Sequence, residues 1–161
     1  MKICLTCAAG GHLNQLMNII DAFEGHDIFF ITTKSETTME LGKIAKTYYT
    51  KDSPRPLRLG NLEFLRLTFT FYTLFISWPC FTILIREKPD VIVSTGGSPT
   101  ICLCCLSKLM GTKIVYIESL ARIDDLSVTG KYVYKIADLF LVQWESLLEK
   151  YHKAKYWGRV L

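Results

Sequence analysis

The sequence predicts an α/β fold: a Rossmann-like parallel sheet with helices on both faces, in one domain over residues 1–161. Three observations predict it. Short runs of β-branched and aromatic residues alternate with helical spacings over short loops, the pattern of strand–helix–strand units. Two of the apolar runs empty into paired glycines, Gly10–Gly11 and Gly96–Gly97. The chain has 161 residues, 50% of them hydrophobic, which is enough to bury a good core.

The elements follow in order. Residues 2–8 read as a buried first strand, and Ala9–His12 as a turn. Leu13, Leu16, Met17, Ile20 and Phe23 recur at helical spacing, which predicts a helix over 12–23, stopped by Gly25. Asp27–Thr33 is a second strand, 35–45 a short helix with Ser35 as N-cap, and Lys46–Thr50 a short strand. Ser53–Pro56 reads as a loop. A long helix is expected over about 61–87, bent near Pro79. Asp90–Ser94 is the next strand, turning at Gly96–Pro99 into a helix over 99–110 that Gly111 ends. Lys113–Glu118 is a strand, 121–125 a polar loop, 128–137 a helix and Leu139–Gln143 a strand. A helix over 144–151 and a short strand at Lys155–Trp157 complete the series, with no internal repeat or low-complexity tract.

Composition narrows the partners. The net charge of +4 is modest and scattered, with no basic stripe interleaved with aromatics, so nucleic acid is disfavoured. It suits a protein resting on an anionic membrane. Met1–Leu5 carries one Lys, a short apolar run and an early Gly-Gly break, unlike a signal peptide. The six cysteines, Cys4, Cys7, Cys80, Cys102, Cys104 and Cys105, sit in apolar runs as small hydrophobes. Cys4 and Cys7 form a CxxC, but on a strand their spacing puts them on opposite faces, against a zinc or redox role. No metal site and no cofactor are expected, and the chain reads as cytoplasmic and reduced.

Between Arg66 and Arg86 no residue is charged. Leu67–Ile85 is thus near the lower limit for spanning a bilayer, about 17–25 residues. A spanning helix here would put the first strand and Val91–Ser94 on opposite sides of a membrane, which one parallel sheet forbids. Basic residues flank both ends, with no one-sided bias. A core helix, an interfacial helix and, least favoured, a spanning helix are the competing readings. Phe69, Phe71, Tyr72, Phe75 and Trp78 favour the interface.

In an open parallel sheet, ligands bind beyond the carboxyl ends of the strands. Three loops fall there: Gly10–His12, Thr95–Ser98 and Glu118–Arg122. The first lacks GxGxxG, and Thr32-Thr33-Lys34 stands where a ribose-binding acid would be, so NAD is disfavoured. Gly10 and Gly11 would still leave backbone N–H groups facing an anion. His12 reads either as a surface or capping histidine, or as a general base or phosphate contact. Gly96, Gly97 and Ser98 form a tight strand–helix turn or a diphosphate or sugar cradle. Glu118 is a helix-capping partner or a site carboxylate, and Arg122 pairs with Asp124 or Asp125 or meets a substrate phosphate.

Five stretches, in order, carry a resemblance: Ala-Ala-Gly-Gly-His-Leu (8–13), Val-Ser-Thr-Gly-Gly-Ser (93–98), Tyr-Ile-Glu-Ser-Leu-Ala-Arg (116–122), Leu-Ser-Val-Thr-Gly-Lys (126–131) and Ala-Asp-Leu-Phe-Leu-Val-Gln-Trp-Glu (137–145). The closing Lys-Tyr-Trp-Gly-Arg-Val-Leu adds to it. Over nearly its whole length the chain resembles the asparagine-linked glycosylation protein 14 family, and its bacterial relatives PssD, EpsE and CpsF. The resemblance implies the amino-terminal, acceptor half of a GT-B glycosyltransferase, similar to the acceptor domain of MurG. It implies a separate donor-half partner that binds the UDP-sugar: asparagine-linked glycosylation protein 13 in eukaryotes, PssE- or EpsF-like chains in bacteria. Together the pair would extend a lipid-diphosphate-linked saccharide at the cytoplasmic face of a membrane. The missing amino-terminal spanning helix of many eukaryotic members leans towards a bacterial relative, and so to capsule or exopolysaccharide assembly on undecaprenyl diphosphate.

On that view His12 is the base or phosphate contact and Glu118 orients or deprotonates the acceptor. Gly10, Gly11, Gly96, Gly97 and Ser98 admit the ligand, Arg122 faces phosphate, and Phe71, Phe75 and Trp78 hold the membrane. A competing reading is a stand-alone Rossmann-like nucleotide-binding regulatory module. A third is a membrane recruiter with no site.

Overall fold

A computed structural model describes residues 1–51, 78–97 and 100–160. The strands are β1 (Lys2–Cys7), β2 (Asp27–Thr33), β3 (Lys46–Thr50), β4 (Val91–Gly96), β5 (Lys113–Ile117), β6 (Leu139–Val142) and β7 (Lys155–Tyr156). They form one parallel sheet in the order β3-β2-β1-β4-β5-β6-β7. The chain builds outward from β1 to β3, then returns beside β1 and builds the other way. The order therefore reverses between β1 and β4, the switch point beyond whose carboxyl ends open sheets of this kind bind ligands.

Helices cover both faces: α1 (Gly11–Met17), α2 (Glu36–Met39), α3 (residues 78–87), α4 (Thr100–Leu109) and α5 (Val128–Val133). Alternate strand residues point to opposite faces, and the core divides accordingly. Ile3, Leu5 and Cys7 pack with Leu13 and Leu16 of α1 and with Leu41. Cys4, Phe29, Ile31 and Ile92 pack on the other face with Cys80 and Leu84 of α3 and Leu103 of α4. A third cluster joins Ile114, Tyr116, Phe140 and Val142 to Val133 and Leu147. Cys4 and Cys7 thus lie on opposite faces, and burial pushes both thiols up, that of Cys7 to about 12.

The helices are shorter than the periodicity predicts. The expected helix over 12–23 ends at Met17, turns at Asn18 and resumes as a 3-10 turn at Ile20–Phe23. Asn followed by two isoleucines is a poor helix interior, because Asn competes for the backbone and β-branched residues crowd the preceding turn. The helix over 35–45 becomes α2 followed by a 3-10 turn, Glu40–Lys43. Ser35 caps it through a reciprocal pair with Thr38. The helix over 128–137 stops at Val133, and that over 144–151 is a 3-10 turn, Glu145–Glu149.

The apolar run splits. Residues 52–77, with Phe71 and Phe75, lie outside the described residues. In α3, Cys80, Leu84 and Glu87 face the sheet at helical spacing, whereas Trp78 and Ile85 are exposed. Among the described residues, no helix is long and apolar enough to cross a membrane. β1 and β4 are hydrogen-bonded neighbours, so both lie on one side of any membrane.

Glu87 fastens the amino-terminal edge of the sheet. Its buried carboxylate accepts bonds from Lys2 Nζ and Lys46 Nζ, each 2.6 Å, and from the Tyr48 hydroxyl.

Candidate functional site

Because β1, β4 and β5 are adjacent, the turns after them meet at one edge of the sheet. Gly10 takes a left-handed backbone, φ 80°, and no side chain caps α1. Gly10 and Gly11 are exposed, and an added methyl at either would meet nothing within 4 Å. The opposing turn is crowded. Gly96 (φ 105°) and Gly97 (φ 88°) both need the left-handed region. A methyl on Gly97 would overlap Ala8, and one on Gly96 would come within 3.0 Å of both the His12 ring and the Tyr116 hydroxyl. The turns after β1 and β4 therefore pack backbone to backbone, and Ala8 N–H donates to Gly96 O at 3.1 Å.

His12 is half-buried between these turns. Its Nδ1 lies 2.6 Å from the Thr95 carbonyl, and Thr95 Oγ1 donates to the His12 carbonyl at 2.7 Å. A carbonyl only accepts, so Nδ1 carries the proton, and the neutral ring keeps its lone pair on Nε2.

Glu118 points inward. Its carboxylate is fully buried. It accepts from Ser119 N–H (2.8 Å), Ser127 N–H (2.9 Å) and Ser127 Oγ (3.1 Å). Ser127 Oγ in turn accepts Gly130 N–H at 2.9 Å and caps α5. Of the two readings open for Glu118, this is the capping one. Its donors sit in the loop and helix start that it pins. Tyr116, stacked on Phe140, reaches Ser127 Oγ at 3.4 Å, and burial pushes its hydroxyl well above the usual phenol range.

Arg122 is exposed and forms no ion pair among the described residues. Of its two readings, pairing with Asp124 or Asp125 is not seen among the described residues. Asp125 is held instead by Lys131 and the Tyr151 hydroxyl, which lower its carboxyl to about 2. Ser98 lies outside the described residues.

Three residues that lie within the quoted stretches but were given no role from the sequence matter here: Thr95, Tyr116 and Gln143. Gln143, buried at the end of β6, donates to Glu118 O (2.8 Å) and Gln15 Oε1 (3.2 Å), and accepts from Val160 N–H (2.7 Å). It thereby ties α1, the end of β5 and the last residues together. Arg159 lies 3.9 Å over the Trp144 ring, whose Nε1 donates to Leu120 O at 2.7 Å. A buried amide at a strand's carboxyl end was the available signal.

A model of the family described as "Oligosaccharide biosynthesis protein Alg14 like" matches residues 3–160. The chain is similar to the UDP-N-acetylglucosamine transferase subunit ALG14 of Rattus norvegicus, 28% identical over 183 residues, covering 100% of this chain and 83% of that one. It is similar to the subunit of the same name from Schizosaccharomyces pombe, 32% identical over 173 residues, covering 94% and 80%. Among solved structures it resembles Acinetobacter baumannii MurG with a TM-score of 0.70 and 14% identity, over 91% of this chain. The chain spans 43% of the length of that MurG, and at such identity the likeness is one of fold, the GT-B type.

Proposed function

The chain belongs to the Alg14-like oligosaccharide biosynthesis family, and on that premise we propose that it is the acceptor-side subunit of a two-chain UDP-sugar transferase. A separate donor-half chain binds the UDP-sugar. This chain holds a lipid-diphosphate-linked saccharide at a membrane and presents one of its hydroxyls. The names of its relatives favour N-acetylglucosamine as the transferred sugar. Capsule or exopolysaccharide assembly with a PssE- or EpsF-like partner, at the cytoplasmic face, is the finer version and rests on the sequence resemblance.

The observation that carries the reading is His12, set between the turns after β1 and β4 with Nδ1 engaged and no partner for Nε2 among the described residues. Nε2 takes the proton of the acceptor hydroxyl as its oxygen bonds to the anomeric carbon and the UDP oxygen leaves with the bonding pair. Gly10, Gly11, Gly96 and Gly97 keep side chains away from the acceptor, and Arg122 supplies an exposed cation for its diphosphate. Glu118 acts as a positioning residue that holds the Ser119–Ser127 loop.

The test is transfer from UDP-N-acetylglucosamine to a lipid-diphosphate sugar by the reconstituted pair. The pair is expected to transfer, this chain alone not at all, and H12A in the pair about 10²–10⁴-fold more slowly. Full activity of the H12A pair would overturn the role of His12. Transfer by the single chain would overturn the two-chain reading, and tight UDP binding by it in calorimetry would favour the regulatory module.

A further inference from the structure

The β1–β4 ladder slips once. Thr6 pairs with Ser94, but Cys7 pairs with Gly96, so Thr95 is the extra residue of a β-bulge. On its other side the β4–β5 register ends at Ser94. Thr95 thus stands outside both ladders, and a bulge of this kind leaves its residue's backbone groups unclaimed and re-aims its side chain. The freed carbonyl and the re-aimed side chain go to the same residue. The Thr95 carbonyl receives His12 Nδ1–H at 2.6 Å, while Thr95 Oγ1 donates to the His12 carbonyl at 2.7 Å.

We propose that Thr95 is a positioning residue: its bulged carbonyl fixes the His12 tautomer, and its hydroxyl holds the first turn of α1 so that this bond persists. The inference rests on His12 acting as base, and adds what keeps Nε2 free. Side-chain hydrogen bonding elsewhere does not explain the arrangement. His12 has no carboxylate partner among the described residues, and Glu118, which follows β5 at the same end of the sheet, is committed to Ser119 and Ser127. A backbone dipole therefore does the orienting that a carboxylate does in other base-bearing histidines. The bulge also explains the glycine that follows. Gly96 at φ 105° resumes the pairing with β1 at Cys7 without a side chain that would crowd the His12 ring.

The test is ¹⁵N NMR of the full chain labelled at histidine, above the pH at which His12 is protonated. The wild type is expected to show a protonated, pyrrole-type Nδ1 and a pyridine-type Nε2 at His12, assigned by comparison with H12Q. T95V keeps the side-chain shape and loses the hydroxyl, so its two His12 nitrogens are expected to move towards averaged shifts. T95S is expected to restore the wild-type pattern. In the reconstituted pair, T95V is expected to slow turnover about 10-fold or more while KM for acceptor stays within about twofold, again rescued by T95S. A wild-type spectrum with the proton on Nε2 overturns the proposal even if T95V does not fold. A wild-type pattern in folded T95V overturns the role of the hydroxyl. An active H12A pair would instead remove the catalytic role of His12 and leave the spectra as they are, so the two failures are distinguishable.

Discussion

The carboxylate of Glu118 occupies the space that a side chain at residue 130 would need: a methyl added to Gly130 would overlap Oε2. The two residues are partners through Ser127, which donates to the carboxylate and accepts from Gly130 N–H. G130A should therefore displace Glu118 from three donors. Helix propensity favours Ala by about 1 kcal/mol, but overpacking at about 1–3 kcal/mol and the loosened charged bonds outweigh it. The expected net loss is about 2 kcal/mol, or a Tm lower by about 4–8 °C in a thermal melt.

E118Q separates stability from chemistry. An amide supplies one acceptor oxygen where three donors converge, so about 1–3 kcal/mol should be lost in a denaturant titration. Transfer by the folded fraction of the pair should stay within a few-fold of wild type. Turnover slowed about 10²-fold or more, with an unchanged melt, would return Glu118 to the reacting centre.

Gly97 offers a contrast with Gly11 that is measurable on one pair of variants. Gly97 has φ 88° and would drive a methyl into Ala8, whereas Gly11 has open space and an ordinary φ. G97A should be destabilised by about 2–4 kcal/mol, combining left-handed strain with overpacking, and should lose transfer. G11A should melt within about 2 °C of wild type, so that any loss of transfer there reports acceptor access.

Strand positions were legible in the sequence, because all but β7 are short runs that carry β-branched residues. So was the opposite facing of Cys4 and Cys7, which needs only a period of two. Ser35 announced its helix by side-chain chemistry alone. Helix lengths were not legible, since Asn18 and Gly42 interrupt a hydrophobic period that itself continues. Nor was the direction of Glu118. It depends on the space left by Gly130, twelve positions along the chain, and on donors of a loop whose path is set by tertiary contacts. The Thr95 bulge is a register relation between strands separated by more than eighty residues, which no local pattern carries.

Glu87 sets a pH dependence at the far edge of the sheet. Bonds from Lys2, then from Lys46 and Tyr48, lower its carboxyl from 4.5 to about 2. A carboxyl lowered by folding contributes stability that is complete above the unfolded value of 4.5 and is lost as pH falls through about 2. E87Q should thus be less stable than wild type at pH 7 by about 1–3 kcal/mol, a range held down by the half-exposed lysines. In urea titrations the gap should narrow from pH 4.5 downward. A gap constant down to about pH 2 would mean that the charge of Glu87 contributes nothing and only its shape matters.

Within α3, Cys80 and Leu84 are fully buried against the sheet, while Trp78 is 68% exposed and lies 6.2 Å from Phe81. One helix therefore has a face committed to the core and a face bearing an exposed aromatic. The membrane role proposed for the apolar run requires the second face. Replacing Phe71, Phe75 and Trp78 with Ser removes three aromatics, each worth about 1.5–3 kcal/mol when fully buried. Interfacial burial is partial, so a total of about 4 kcal/mol is expected, which lowers partitioning into anionic vesicles about 10³-fold. On the membrane reading the melt stays close to wild type; of the three, Trp78 is exposed, and Phe71 and Phe75 lie outside the described residues. L84A is the control: it should lower stability by about 2–5 kcal/mol while the folded protein still sediments with vesicles. Undiminished vesicle binding by the triple variant would remove the membrane role from this run, and its unfolding would assign the aromatics to the core.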